Sequence, residues 1–180
     1  MRHSVMYSLR RADAILCVSE STRRDCIEMG VRQESICVSE NALDAEFDRI
    51  AGEETGTDEN TYSSLKPYIL FVGLGKPHKN LARVLAAFRS VERDFREGNG
   101  LRLVLVGPQM TEIQRKTEAM GLSKKVIFTG EVSTKELVGL YRNAIALCFP
   151  SLYEGFGLPA LEAMRMEVPV LSSLESSLPE

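Results

Sequence analysis

The stretch AIALCFPSLYEGFGLPALE, residues Ala144 to Glu162, decides the fold. Ala144 to Phe149 is an uninterrupted apolar run, as expected of a buried strand, and Ala160 to Met166 reads as a helix. Between them lies a loop with Gly155 and Gly157, then Pro159 where a helix would begin. Proline suits the first helical position, because its φ is already set and its missing N–H has no intrahelical partner there. The amides of Gly157 and Leu158 then sit at a helix N-terminus, whose partial positive charge and unpaired donors attract phosphate. Gly157 has no Cβ, which lets an anion approach the backbone. Glu154 and Glu162 flank this cradle, and as pure acceptors they suit sugar hydroxyls. On the residues alone, an ordinary strand, loop and helix with acids offsetting the helix dipole accounts for the stretch equally well.

Working outward, the punctuation is regular. Tyr68 to Gly73 (YILFVG), Leu101 to Gly107 (LRLVLVG) and Lys125 to Gly130 (KVIFTG) are apolar runs ending in glycine, and Val168 to Ser172 continues the series. Between them Leu81, Val84, Leu85 and Phe88, and again Leu137, Leu140 and Tyr141, recur at helical spacing. Ser133 and Glu136 form a capping-box pattern ahead of the second stripe. Strands apolar on both faces that alternate with helices predict an α/β, doubly wound parallel sheet, which binds ligands beyond the strand C-termini. Upstream, Ala12 to Ser19 reads as a buried parallel strand, Glu20 to Met29 as a helix stopped by Gly30, and Ser35 to Glu40 as a second short strand. Ala51 to Lys66 is polar and acidic and predicts a flexible linker. The expected division is therefore 1–50, a linker 51–66, and 67–180.

The loop GLGKPHKN, Gly73 to Asn80, follows the first of these strands. It is not a P-loop, which would need glycine where Leu70 stands and Ser or Thr after Lys76; nor is it Gly-x-Gly-x-x-Gly, since His78 holds the third position. What remains is Lys79 just ahead of a helix. A cation at a positive helix end is unfavourable unless an anion lies between them.

Composition bounds the rest. The 180 residues hold one good core and a fragment of a second, and the net charge of −3 excludes nonspecific nucleic-acid binding through a dense basic surface. No apolar run approaches the ~20 residues of a membrane span. The four cysteines, Cys17, Cys26, Cys37 and Cys148, lack Cys-x-x-Cys pairing and read as reduced packing residues of a cytosolic protein.

The segment EGFGLPALE, Glu154 to Glu162, resembles the Glu-x7-Glu signature of the family four retaining glycosyltransferases, enzymes of two Rossmann-like domains with the GT-B fold. Phe71, Val72, Gly73, Pro77, Lys79, Asn80, Leu81, Ala87 and Phe88 match a second family pattern, and Thr129 to Val132 a third. Upstream, ADAILCVSE and then NALD, Asn41 to Asp44, resemble the end of the family's N-terminal domain, with Ala42 in place of a glycine.

The resemblance implies that the chain is the end of an N-terminal domain (1–50) plus an incomplete donor-binding domain (67–180), and that it transfers sugar from a UDP- or GDP-linked donor with retention. It implies that Glu154 contacts the donor sugar at the catalytic centre. Lys79 and the amides of Phe156, Gly157 and Leu158 hold the diphosphate, Gly73 and Gly155 are further donor-binding positions, Glu162 holds the ribose, and the loop of Val132 the base. Lys76 and His78 are candidates for a second basic contact. No cofactor or metal is implied. The partners expected are the donor and an unidentified glycan, lipid-linked or small acceptor. The location expected is cytoplasmic, with peripheral membrane attachment left open for longer members. Shorter than the family pattern, the chain is expected to be weak or inactive alone, and its incomplete sheet to favour self-association. The competing reading is a noncatalytic nucleotide-binding or interaction module.

Overall fold

Two parallel sheets organise this computed structural model, which describes residues 2–53, 62–95, 100–108 and 110–180. The chain forms two compact units: Met1–Ala42 with Tyr153–Leu158 and Leu174–Glu180, and Leu43–Leu152 with Pro159–Ser173. Among the described residues, no helix is long and apolar enough to cross a membrane.

The first unit contains α1 (Arg2–Arg11), β1 (Ile15–Cys17), α2 (Glu20–Glu28) and β2 (Ile36–Val38), with β1 and β2 parallel and Leu16 opposite Cys37. Ser19 caps α2 by accepting from the Thr22 amide at 3.0 Å, and Gly30, at φ +83°, turns the chain out of it. Leu9, Ile15 and Ile27 pack around buried Cys17, Cys26, Val31 and Ile36. Both strands are shorter than the apolar runs suggest, and only one face is covered. Leu16 stands 73% exposed and its neighbour Cys37 is exposed too, so β1 is not the two-sided buried strand expected, and Cys37 is not a packing cysteine.

The second unit contains α3 (Ala45–Gly52), β3 (Tyr68–Val72), α4 (Leu81–Val91), β4 (Arg102–Val106), α5 (Thr111–Ala119), β5 (Val126–Gly130), α6 (Thr134–Asn143), β6 (Ala146–Phe149), α7 (Leu158–Arg165, whose first residue lies in the other unit) and β7 (Val170–Ser172). Its five strands are all parallel, in the order β5-β4-β3-β6-β7. This is the expected doubly wound α/β sheet, and each predicted strand forms. Leu70, Leu103, Val104, Leu105 and Leu147 are wholly buried because helices cover both faces. The stripe Leu81, Val84, Leu85 and Phe88 seats α4 against Phe71, Leu103 and Leu105. Ser133 and Glu136 form the capping box of α6 as their spacing predicts.

The division falls elsewhere than at 51–66. Residues 51 and 52 complete α3, and 54–61 lie outside the described residues. Helix α3 joins the second unit because Phe47 and Ile50 are buried, with the Phe47 ring edge-on to Tyr141 at 6.0 Å. Arg142 then donates to the carbonyls of Ile50 and Ala51 at the helix end, at 3.1 and 3.0 Å.

Candidate functional site

The strand order reverses between β3 and β6: from β3 the chain winds outward to β4 and β5, from β6 it winds the other way to β7. Loops leaving the C-termini of two such strands diverge and leave a crevice, the usual ligand position in open parallel sheets. The two loops singled out in the sequence, Gly73 to Asn80 and Pro150 to Leu158, follow these two strands.

Within the second unit the first loop is tightly held. Its Pro77–Lys79 segment is a 3-10 turn, and Asn80 takes the left-handed conformation at φ +59° before α4 starts at Leu81. The Asn80 side chain does not cap α4; its amide donates to the Pro150 carbonyl at 3.2 Å. The Leu152 amide donates to the His78 carbonyl at 2.7 Å. Both bonds fasten the β3 loop to the chain leaving β6. Lys79 lies along the Gly73 backbone, where a Cβ would stand 3.6 Å from its Cε, and its ammonium is 5.0 Å from the centre of the Phe149 ring. That cation–π contact fixes the charge at the crevice end of β6.

Helix α7 begins at Leu158, one residue earlier than expected, so Pro159 occupies its second position. Gly157 precedes it at φ +109°, a backbone that L side chains rarely adopt, and is buried. One turn into α7, Glu162 accepts a hydrogen bond from the buried Tyr141 hydroxyl at 2.8 Å. Burial pushes the Glu162 carboxyl above the ordinary carboxylate range, and the Tyr141 bond pulls it partly back. Burial, with Glu162 second, pushes the Tyr141 phenol far up, so it serves as a permanent donor.

A carboxyl whose pKa is raised on folding binds its proton more tightly in the folded state. Its protonated form favours folding at acid pH, and that contribution is lost as pH rises from the ordinary carboxylate range through the folded pKa. Glu162→Gln keeps an acceptor for Tyr141 but removes the charge. Its melting temperature is expected to exceed the parent's at pH 7 and to converge with it near pH 4, measured by thermal unfolding across that range. Equal melting temperatures at pH 7 would show that Glu162 ionises at no cost.

In the first unit, Tyr153 to Leu158 packs through its own backbone. The Glu154 carbonyl accepts the Ser176 and Ser177 hydroxyls at 2.7 and 3.0 Å, and the Phe156 carbonyl accepts Ser177 at 3.0 Å. The Tyr153 hydroxyl donates to Asp25 at 2.6 Å.

Of the residues expected from sequence, Gly73 and Lys79 are therefore brought together, and Glu162 stands in the same unit on the helix that follows β6. Glu154, Gly155, Phe156, Gly157 and Leu158 share one loop of the other unit. Val132 is half-buried in the turn after β5, two strands from β3, so roughly 10 Å of sheet separates those strands. Lys76 is exposed, while His78 holds the turn through its carbonyl. Asn80, Tyr141, Ser176 and Ser177 were not anticipated as site residues.

A parallel sheet with a basic loop at its reversal point and a glycine-initiated helix beside it defines the class of doubly wound α/β proteins that bind at the strand ends. The model of the family described as glycosyl transferases group 1 matches residues 56–180, and the chain belongs to that family. It is 34% identical over 176 residues to the serotype-specific mannosyltransferase WbdA of Escherichia coli, covering 94% of this chain and 22% of WbdA. It is 30% identical over 185 residues to the O-antigen chain mannosyltransferase B of Escherichia coli, covering 100% of this chain and 48% of that protein. The chain thus spans about a fifth to a half of the length of these relatives. Among solved structures, Anabaena HepE in complex with UDP and glucose superposes with a TM-score of 0.81 at 19% identity, over 98% of this chain and 48% of that one. That likeness establishes the fold, a GT-B-type domain.

Proposed function

We propose that the chain carries the donor site of a retaining glycosyltransferase, binding a nucleoside diphosphate sugar. Lys79 and the amides following Glu154 hold the diphosphate, Glu162 accepts from the ribose hydroxyls, and Glu154 contacts the transferred sugar. The observation that carries this is Lys79, held against Gly73 and Phe149 at the sheet's reversal point by a turn bonded to the end of β6. A cation fixed there, ahead of a helix with no side-chain cap, suits a phosphate group. A cavity of about 300 Å³, lined by Leu74, Gly75, Lys76, Pro108, Met110 and Thr111, opens beside the loop that carries Lys79. WbdA and the other relative are named mannosyltransferases, which makes a mannosyl donor the first to test.

Transfer needs donor and acceptor held together. This chain alone is expected to bind the donor and to transfer weakly. Calorimetric titration with UDP, GDP and ADP is expected to give saturable binding of one of them in the micromolar to millimolar range, as for ordinary enzyme substrates. A folded chain that binds none of the three overturns the donor reading and leaves an interaction module.

A further inference from the structure

Three consecutive carbonyls of the Glu154 loop are each held by a hydroxyl. The Glu154 carbonyl takes Ser176 at 2.7 Å and Ser177 at 3.0 Å, the Gly155 carbonyl takes Thr22 at 3.3 Å, and the Phe156 carbonyl takes Ser177 at 3.0 Å. Ser177 is only 4% exposed and divides its single proton between two acceptors. The hydroxyls are themselves braced. Ser21 lies 3.2 Å from Ser176, Ser19 donates to Thr22 at 3.0 Å, and the Glu180 carboxylate accepts the Glu20 and Ser21 amides at 2.9 and 2.7 Å, fastening the serine segment to the start of α2.

A trans peptide unit is planar, with its N–H antiparallel to its C=O. Carbonyls of 154, 155 and 156 turned into the hydroxyl cluster therefore turn the amides of Gly155, Phe156 and Gly157 away from it. Among the described residues no backbone carbonyl accepts those three amides. A row of outward N–H groups is an anion cradle, and its geometry is worth most when it is set before the ligand arrives.

We infer that Ser177, with Ser176 and Thr22, is a positioning residue that orients the 155–157 amides toward the diphosphate of the donor. This rests on the donor reading above and extends it to residues that touch no ligand. The hydroxyls act through the carbonyls, and the amides deliver the effect.

The test compares the parent chain with Ser177→Ala and Ser177→Thr, titrating whichever of UDP, GDP and ADP binds and its matching nucleoside. Loss of a hydrogen bond to buried carbonyls is expected to weaken the diphosphate about tenfold, to leave the nucleoside unchanged, and to be restored by threonine. Equal loss for nucleoside and diphosphate, or no loss for either, overturns the inference. Should Ser177→Ala not fold, Thr22→Val is read by the same comparison.

Backbone amide order parameters of residues 155–157 in the unliganded chain supply an independent reading. They are expected to stand near ~0.85 in the parent and to fall in Ser177→Ala; unchanged values overturn the clamp even if affinity drops. A parent chain that binds no nucleoside diphosphate ends the donor reading, while the order parameters still judge whether the hydroxyls set the amides.

Discussion

Gly107→Ala is expected to lower the unfolding midpoint of the five-stranded unit by about 10 °C, from a cost of about 3 kcal/mol or more. Gly107 ends β4 at φ +142°, and a Cβ there would stand 2.3 Å from the Gly73 carbonyl oxygen and 3.2 Å from Met110 Cε. The first contact is with backbone, so no rotamer change relieves it. The same strand ends are linked in a row, with the Gly73 amide donating to Val106 at 3.0 Å and the Gly107 amide to Gly130 at 2.9 Å. Pushing Gly107 away breaks that row next to Lys79. Gly121→Ala is the control: its φ is +71° but a Cβ would meet nothing within 4 Å, so it carries only the left-handed backbone cost of about 1–2 kcal/mol. The difference between the two melting temperatures isolates the collision. Matching values would mean that β3 and β4 part without cost.

What could be read in the sequence followed the strength of each local signal. The strands β3 to β7 were legible because both faces are apolar and their ends are marked by glycine, proline or a turn. Helix α4 was legible from four buried residues on one stripe. Helix α5 presents only Ile113 and Thr117 to the interior, which leaves no stripe to read. The run Ala12 to Ser19 announced apolarity but not coverage, so the exposure of Leu16 was hidden. Helix α3 was not read, and its residues up to 50 were placed in the first segment, because what holds it, Tyr141 and Arg142, lies some ninety residues on.

The site divides in the same way. Gly73, Lys79 and the Glu154 to Glu162 stretch carry their chemistry in short spacing. The groups that orient them do not: Ser176 reaches Glu154 across 22 residues, and Thr22 reaches Gly155 across 133. Serines in LSSLESSLPE look like any polar segment until the carbonyls they serve are seen. Tyr141 was read as one more member of a helical stripe, which it is, and its hydroxyl's bond to Glu162 has no counterpart in periodicity.

Lys79→Ala is expected to weaken nucleoside diphosphate binding about a hundredfold, about 3 kcal/mol, the order found when one partner of a hydrogen-bonded charge pair is removed from a partly buried site. The ammonium is aligned before any ligand binds, by the Phe149 ring 5.0 Å away and the Gly73 backbone along its stem, so little side-chain entropy is lost on binding. On the proposed donor reading, its removal takes the fixed cation away from the diphosphate. The loss should scale with phosphate charge: large for the diphosphate, smaller for the monophosphate and absent for the nucleoside, each measured by calorimetric titration at fixed salt. Lys79→Arg tests whether charge or reach matters. A guanidinium is bulkier and planar, and beside Gly73 it cannot keep the same position, so it is expected to recover only part of the affinity. A nucleoside that weakens as much as its diphosphate would show that Lys79 supports the fold of the loop, and the charge argument for the whole site would go with it.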